Sequence, residues 1–160
     1  MEIEFAKIAA ITLAIGSAMV GGVFQSFSDF VMRGLAEAGQ AGAKGMQGLN
    51  RTVMRSFFLY MLFGMAPASI SVALYFDAYL TYEAAYALWI GAGVYVASVP
   101  FVTMVGNVPM NNRLAAVDAD TREGAAYWST YLSGWTRWNT TRTLGCYAAA
   151  ACFAYAAISM

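Results

Sequence analysis

Four stretches of this chain contain no charged residue, and each is long enough to cross a lipid bilayer. They cover residues 8–28, 56–76, 84–112 and 143–160. An α-helix rises 1.5 Å per residue, so about 20 apolar residues span the hydrocarbon layer. In lipid the backbone must satisfy its own polar groups, which a helix does within a single segment. The chain is therefore expected to be all-α, an integral membrane bundle of four transmembrane helices. It should form one domain over residues 1–160, with spans at about 6–30, 55–76, 84–107 and 141–160.

Composition narrows the class further. Hydrophobic residues make up 60% of the chain and charged residues 11%, where about a quarter is usual. That is the reverse of a disordered chain. Nine basic residues balance nine acidic ones, so no positive surplus exists to displace phosphate counterions, and nucleic acid is not an expected partner. The first apolar run exceeds the core of a signal peptide and follows Glu2 and Glu4 rather than a basic start, so it reads as a retained span.

The basic residues are distributed unevenly. Arg33, Lys44, Arg51 and Arg55 fall in the first loop, and Arg113, Arg122, Arg137 and Arg142 in the third; only Lys7 lies on the other side. That asymmetry places loops one and three in the cytoplasm and both termini on the non-cytoplasmic side. Small residues four apart, Ser17 with Gly21, Gly64 with Ala68 and Gly93 with Ala97, are expected to pack inside the bundle rather than to build an oligomer face. A homo-oligomer or a place in a larger membrane complex is left open. Pro67 and Pro100 are expected to kink their spans.

Polar residues gather near the cytoplasmic ends. Gly22, Ser26, Asp29 and Arg33 recur at spacings of four, three and four, one helical stripe on the first span. Asp29 reads either as an interfacial partner of Arg33 or as a carboxylate facing a cavity, since ionisable groups at membrane depth are costly. Asn107 and Asn111, with Asn112 beside them, flank Pro109 at the end of the third run; they suit a lined pocket or a helix end. Trp128, Tyr131, Trp135, Trp138 and Arg142 follow spacings of three, four, three and four, with Asn139 one turn beyond Trp135. This Trp-rich segment reads as an amphipathic cytoplasmic helix leading into the last span. Its face fits an interfacial aromatic belt, core packing or a lined pocket. The side chains of Asp29, Asn107, Asn111, Trp135, Asn139 and Arg142 are expected to surround one cavity, because polar groups at that depth must satisfy one another or water.

Other chemistry is excluded by what is missing. The chain has no His, the commonest general base and metal ligand, so neither a metal site nor a haem is expected. Cys146 and Cys152 are six residues apart on one helix, point to different sides and cannot pair.

Four blocks together resemble the anthrone oxygenase family of small four-helix membrane proteins. They are Phe27-Ser28-Asp29-Phe30-Val31-Met32-Arg33-Gly34-Leu35, Gly45-Met46-Gln47-Gly48-Leu49-Asn50-Arg51, Asn107-Val108-Pro109-Met110-Asn111-Asn112-Arg113-Leu114, and Trp135-Thr136-Arg137-Trp138-Asn139 followed by Arg142-Thr143. The resemblance implies O₂-dependent oxidation of a polycyclic anthrone without a cofactor, in the bacterial inner membrane, with membrane lipids and a hydrophobic aromatic small molecule as partners. For such chemistry the residues offer Asp29 as the base, if partial burial raises its pKa toward working pH, Arg142 with Asn107 and Asn111 as holders of the enolate oxygen, and Trp128, Tyr131 and Trp135 as the walls of a flat slot. Many members carry His where this chain has Thr140. The alternative is a non-catalytic accessory subunit, or a binder of lipid, quinone or a partner helix, using the same groove.

Overall fold

The computed structural model describes residues 1–160 and is helical throughout. Helix α1 (Glu2–Ser26) passes through a π-helical turn (Phe27–Val31) into α2 (Met32–Glu37), and α3 (Gln40–Val53) follows. Helix α4 (Phe57–Phe76) leads through a 3₁₀ turn (Asp77–Tyr79) to α5 (Tyr82–Ser98). A short α6 (Pro100–Val102), a second π-helical turn (Thr103–Asn107) and α7 (Val108–Ala116) continue the same rod. The chain closes with α8 (Arg122–Ile158), 37 residues long.

Three rods are long and apolar enough to cross a membrane: Glu2–Glu37, Phe57–Tyr79 and Tyr82–Ala116. Their starts are set by local chemistry. Ser56 Oγ accepts the Leu59 N–H at the head of α4, and Thr81 Oγ1 accepts the Ala84 N–H at the head of α5. Thr121 Oγ1 accepts the Gly124 N–H at the head of α8. Each satisfies a donor that the first helical turn leaves free. Between α2 and α3 the chain reverses at Gly39, the one residue with positive φ (58°), which glycine adopts without steric cost.

Helix α8 packs along both α1 and α5, and α4 closes the ring by packing on the same two helices. The approach is close. A Cβ on Gly21 would lie 2.9 Å from the Cys146 Cβ, and one on Gly145 would run into Ser98 Oγ. Ser17 and Gly21 are buried as expected. The other two small pairs are not: Gly64, Ala68, Gly93 and Ala97 are exposed on the outside of α4 and α5. Their spacing marks an outward face here, because Leu62, Ser69, Leu88 and Tyr95 take the inward positions. Helix α4 runs unbroken through Pro67, whereas the rod does break between α5 and α6 at Pro100.

Burial divides the molecule into two cores. The larger, within the four-helix ring, includes Leu13, Val20, Phe24, Leu62, Leu88, Tyr95, Cys146 and Phe153. The smaller is a helical cap of Met32, Ala43, Met46, Leu114, Ala119, Tyr127, Trp128, Tyr131 and Trp135. Large apolar side chains such as Ile8, Ile15, Met19, Phe57, Leu74 and Phe101 face outward from the ring, the placement a lipid solvent favours. Cys146 and Cys152 are both free thiols.

Candidate functional site

A polar layer separates the two cores, and Arg142 is its centre. The residue is 4% exposed. One terminal nitrogen donates to Asn139 Oδ1 at 2.7 Å and the other to Thr103 Oγ1 at 3.1 Å, while Nε has no partner. The guanidinium lies over the Phe24 ring, and its carbon is 5.4 Å from the centre of the Trp135 ring. No carboxylate reaches it: the chain forms only two ion pairs, Arg33–Asp29 at 3.2 Å and Lys44–Asp120 at 2.7 Å. A buried cation without a counter-ion is expensive unless something else supplies compensating charge.

Asn139 holds that cation in place. Fully buried, it donates through Nδ2 to the Phe24 carbonyl at 2.6 Å and to Ser28 Oγ at 2.7 Å. Both remaining acceptor positions face α8 itself, Oδ1 toward Arg142 and the backbone carbonyl toward Thr143 Oγ1. Ser28 Oγ lies 3.1 Å from Thr140 Oγ1 and so carries the chain of hydrogen bonds to the surface.

Across α8, Asn107 is 1% exposed and donates to the Trp135 carbonyl at 3.3 Å, leaving its own Oδ1 without a partner. The indole N–H groups of Trp135 and Trp128 are also buried and unpaired. The Trp135 N–H, Asn107 Oδ1 and Arg142 Nε are thus unspent around the layer, while the Trp128 N–H lies further up, in the cap. Buried polar groups in this state mark a strained or ligand-binding place.

Both π-helical turns flank this layer. One supplies Ser28, the other supplies Thr103 and Asn107, and both pack against α8. Single π-turns inside α-helices occur often at functional sites.

Of the six side chains expected to surround one cavity, Asn107, Trp135, Asn139 and Arg142 are neighbours in this layer. Asn111 belongs instead to the cap, where its Oδ1 accepts the Tyr131 hydroxyl at 2.7 Å. That hydroxyl also accepts from Asn50 Nδ2 at 3.4 Å, and burial pushes the Tyr131 phenol above its ordinary range. Asn112 is exposed. Asp29 is a correction: its side chain is 63% exposed and paired with Arg33 Nη2, so it lies outside the buried layer. The extra residue in the Phe27–Val31 turn rotates Asp29 and Arg33 off the Gly22–Ser26 stripe.

Trp128, Tyr131 and Trp135 stack in series, with ring centres 5.5 and 6.0 Å apart and planes tilted 21°. They fill the cap core against Met32, Ala43, Met46 and Leu114, so their common face is packed rather than hollow. Trp138 sits at the rim, 41% exposed, with its ring against the backbone at Gly106. A groove of about 540 Å³ lies outside α4 and α5, between Ile70, Trp89, Gly93 and Phe101. A notch of about 380 Å³ lies at the opposite end of the molecule from the cap.

Sequence spacing misses four participants. Thr103, Ser28, Gln47 and Asn50 each meet a partner far along the chain; Gln47 Nε2, for instance, donates to the Leu114 and Val117 carbonyls at 2.8 and 3.1 Å. Ser28, Gln47 and Asn50 sit within the blocks that carry the family resemblance, which is the one signal that points to them.

A model of the family described as "Anthrone oxygenase" matches residues 54–152. The chain belongs to the anthrone oxygenase family. Within the matched stretch lie Thr103, Asn107, Trp135, Asn139 and Arg142, the core of the polar layer. Neither curated proteins nor solved structures give a match.

Proposed function

We propose that this anthrone oxygenase family member is a membrane-embedded oxygenase that oxidises a polycyclic phenolic substrate with O₂ and no cofactor. The observation that carries the reading is the buried Arg142 guanidinium without a carboxylate. An enolate oxygen is the charge such a group would stabilise, and fixed donors in a dry site stabilise developing charge strongly. In this reaction an anthrone loses its ring C–H proton to give an electron-rich enolate. The enolate passes one electron to O₂, the two radicals join through a new C–O bond, and the peroxide takes up the proton. Loss of the second ring hydrogen and cleavage of the O–O bond release water and leave the second carbonyl. Anthrone and O₂ thus give anthraquinone and water.

In this reading Arg142, oriented by Asn139 and Thr103, faces the enolate oxygen. Asn107 Oδ1 and the Trp135 N–H offer the adjacent acceptor and donor. The substrate reaches them by parting Phe27 from Trp135, whose ring centres are 5.8 Å apart. The proton leaves to water, because Asp29 is not at the layer. The carboxyl-terminal half of α8 serves as the fourth span, and the cap lies on the cytoplasmic side with both chain ends opposite.

The deciding experiment mixes the purified protein in lipid nanodiscs with an anthrone and follows O₂ uptake and quinone absorbance. Quinone formation with one O₂ per turnover, above the rate in empty nanodiscs, supports the proposal. A protein that binds the anthrone without turning it over supports the second reading, a non-catalytic binder or accessory subunit. That reading is favoured by the stacked indoles being packed as core.

A further inference from the structure

The end of the bundle away from the cap carries a second built feature, independent of the oxygenase reading. Where the rods Phe57–Tyr79 and Tyr82–Ala116 meet, a notch of about 380 Å³ is lined by Asp77, Leu80, Tyr82, Ala85, Tyr86 and Trp89. Two membrane-length rods are joined here, so the notch sits at a membrane surface by construction.

Its chemistry is one-sided. Asp77 Oδ1 accepts the Trp89 indole N–H at 2.8 Å, and Oδ2 takes no hydrogen bond. Neither ion pair of the chain involves Asp77, and the α4–α5 loop holds Asp77 and Glu83 but no Lys or Arg. Beside this carboxylate, Tyr82 and Tyr86 stack in parallel, 5.8 Å apart with planes 10° from coplanar. Their faces are open, at 82% and 56% exposure. The hydrogen bond to Asp77 fixes the Trp89 ring as the third wall. An interfacial belt requires aromatic residues at this depth, but it does not require a carboxylate locked against an indole with one oxygen left free. Aromatic faces around an anionic group are the recognised way to hold an ammonium ion.

We propose that this notch binds the ammonium headgroup of an amine-bearing phospholipid of the ethanolamine class. A primary ammonium donates to Asp77 Oδ2 while resting against the tyrosine and tryptophan faces, and its acyl chains run down the apolar groove that shares Trp89. The absence of basic side chains in the loop disfavours anionic lipids, so selectivity for the amine follows from charge.

The test is native mass spectrometry of the full chain released from nanodiscs of equal phosphatidylethanolamine and phosphatidylglycerol. Wild type should retain the ethanolamine lipid preferentially. Asp77→Asn keeps an acceptor for the Trp89 N–H and should lower that preference about fivefold, and Tyr86→Leu should lower it by about threefold. Thermal melts of both variants establish that they are folded. A preference unchanged in Asp77→Asn overturns the proposal, as does equal retention of the two lipids by wild type. Millimolar free ethanolamine added to the nanodiscs should not abolish the preference; if it does, the ligand is a soluble amine and the lipid assignment fails.

Discussion

The Arg142 guanidinium carbon lies 4.0 Å above the centre of the Phe24 ring. An aromatic face thus occupies the place where a buried arginine usually meets a carboxylate. Such a contact contributes about 0.5–2 kcal/mol, less than desolvating the cation costs. The hydrogen bonds to Asn139 and Thr103 add to it, but none of these partners supplies the negative charge that a buried cation usually meets.

Replacing Arg142 should separate stability from chemistry. Arg142→Met keeps the aliphatic stem and removes the uncompensated charge but leaves the buried Asn139 Oδ1 without its donor. The two effects oppose, so thermal stability in detergent should change by no more than about 1 kcal/mol. Anthrone turnover should fall by about 10²-fold. A variant that is much less stable would show the charge to be structural.

Asp29→Asn addresses the proton. Asp29 is exposed and shares one surface ion pair with Arg33, so stability should change by less than about 0.5 kcal/mol. Turnover should be unchanged. A loss of more than tenfold in kcat with the substrate still bound would return Asp29 to the role of base.

Tyr131 should make the cap sensitive to alkali. Burial raises its phenol pKa in the fold, whereas an unfolded tyrosine ionises near pH 10. Below that pH both states keep the proton and the fold is unaffected. Above it the unfolded chain releases the proton and the folded chain does not, so stability falls as pH rises. Melts at pH 8 and pH 11 should show a smaller alkaline loss for Tyr131→Phe than for wild type. At pH 8 that variant should be about 1 kcal/mol weaker, for want of the hydrogen bond to Asn111.

Gly145 sets the spacing of α5 and α8. Gly145→Ala drives its Cβ into Ser98 Oγ and should cost about 1–3 kcal/mol by overpacking. Adding Ser98→Gly removes the obstructing hydroxymethyl group and should recover most of that loss in the same thermal melt.

The membrane-length rods were legible because lipid excludes charge, and the runs between Lys7 and Asp29, Arg55 and Asp77, and Glu83 and Arg113 are visible directly. Trp135, Asn139 and Arg142 were legible because they share one uninterrupted helix, where spacing translates into a common face. Asp29 was misplaced because its stripe assumed an α-helical period through a π-turn. Thr103 and Ser28 were invisible to spacing because they pair with Arg142 and Asn139 across 39 and 111 positions. The indole stripe carried the right face but no account of its partners, and Met32, Ala43 and Met46 arrive from another helix pair to fill it.

The π-turns have a geometric consequence for the whole molecule. Each adds one residue to a helical turn, which advances everything beyond it by about 100° around the axis. A single rod can thereby offer one side to the ring core below and a different side to the aromatic cap above, with no loop between them. The phase change falls in α1–α2 at Phe27–Val31 and in α5–α7 at Thr103–Asn107, while α8 passes both without one. Helix α8 is therefore the fixed axle of the molecule, and its neighbours turn about it at the level where Asn139 and Arg142 stand.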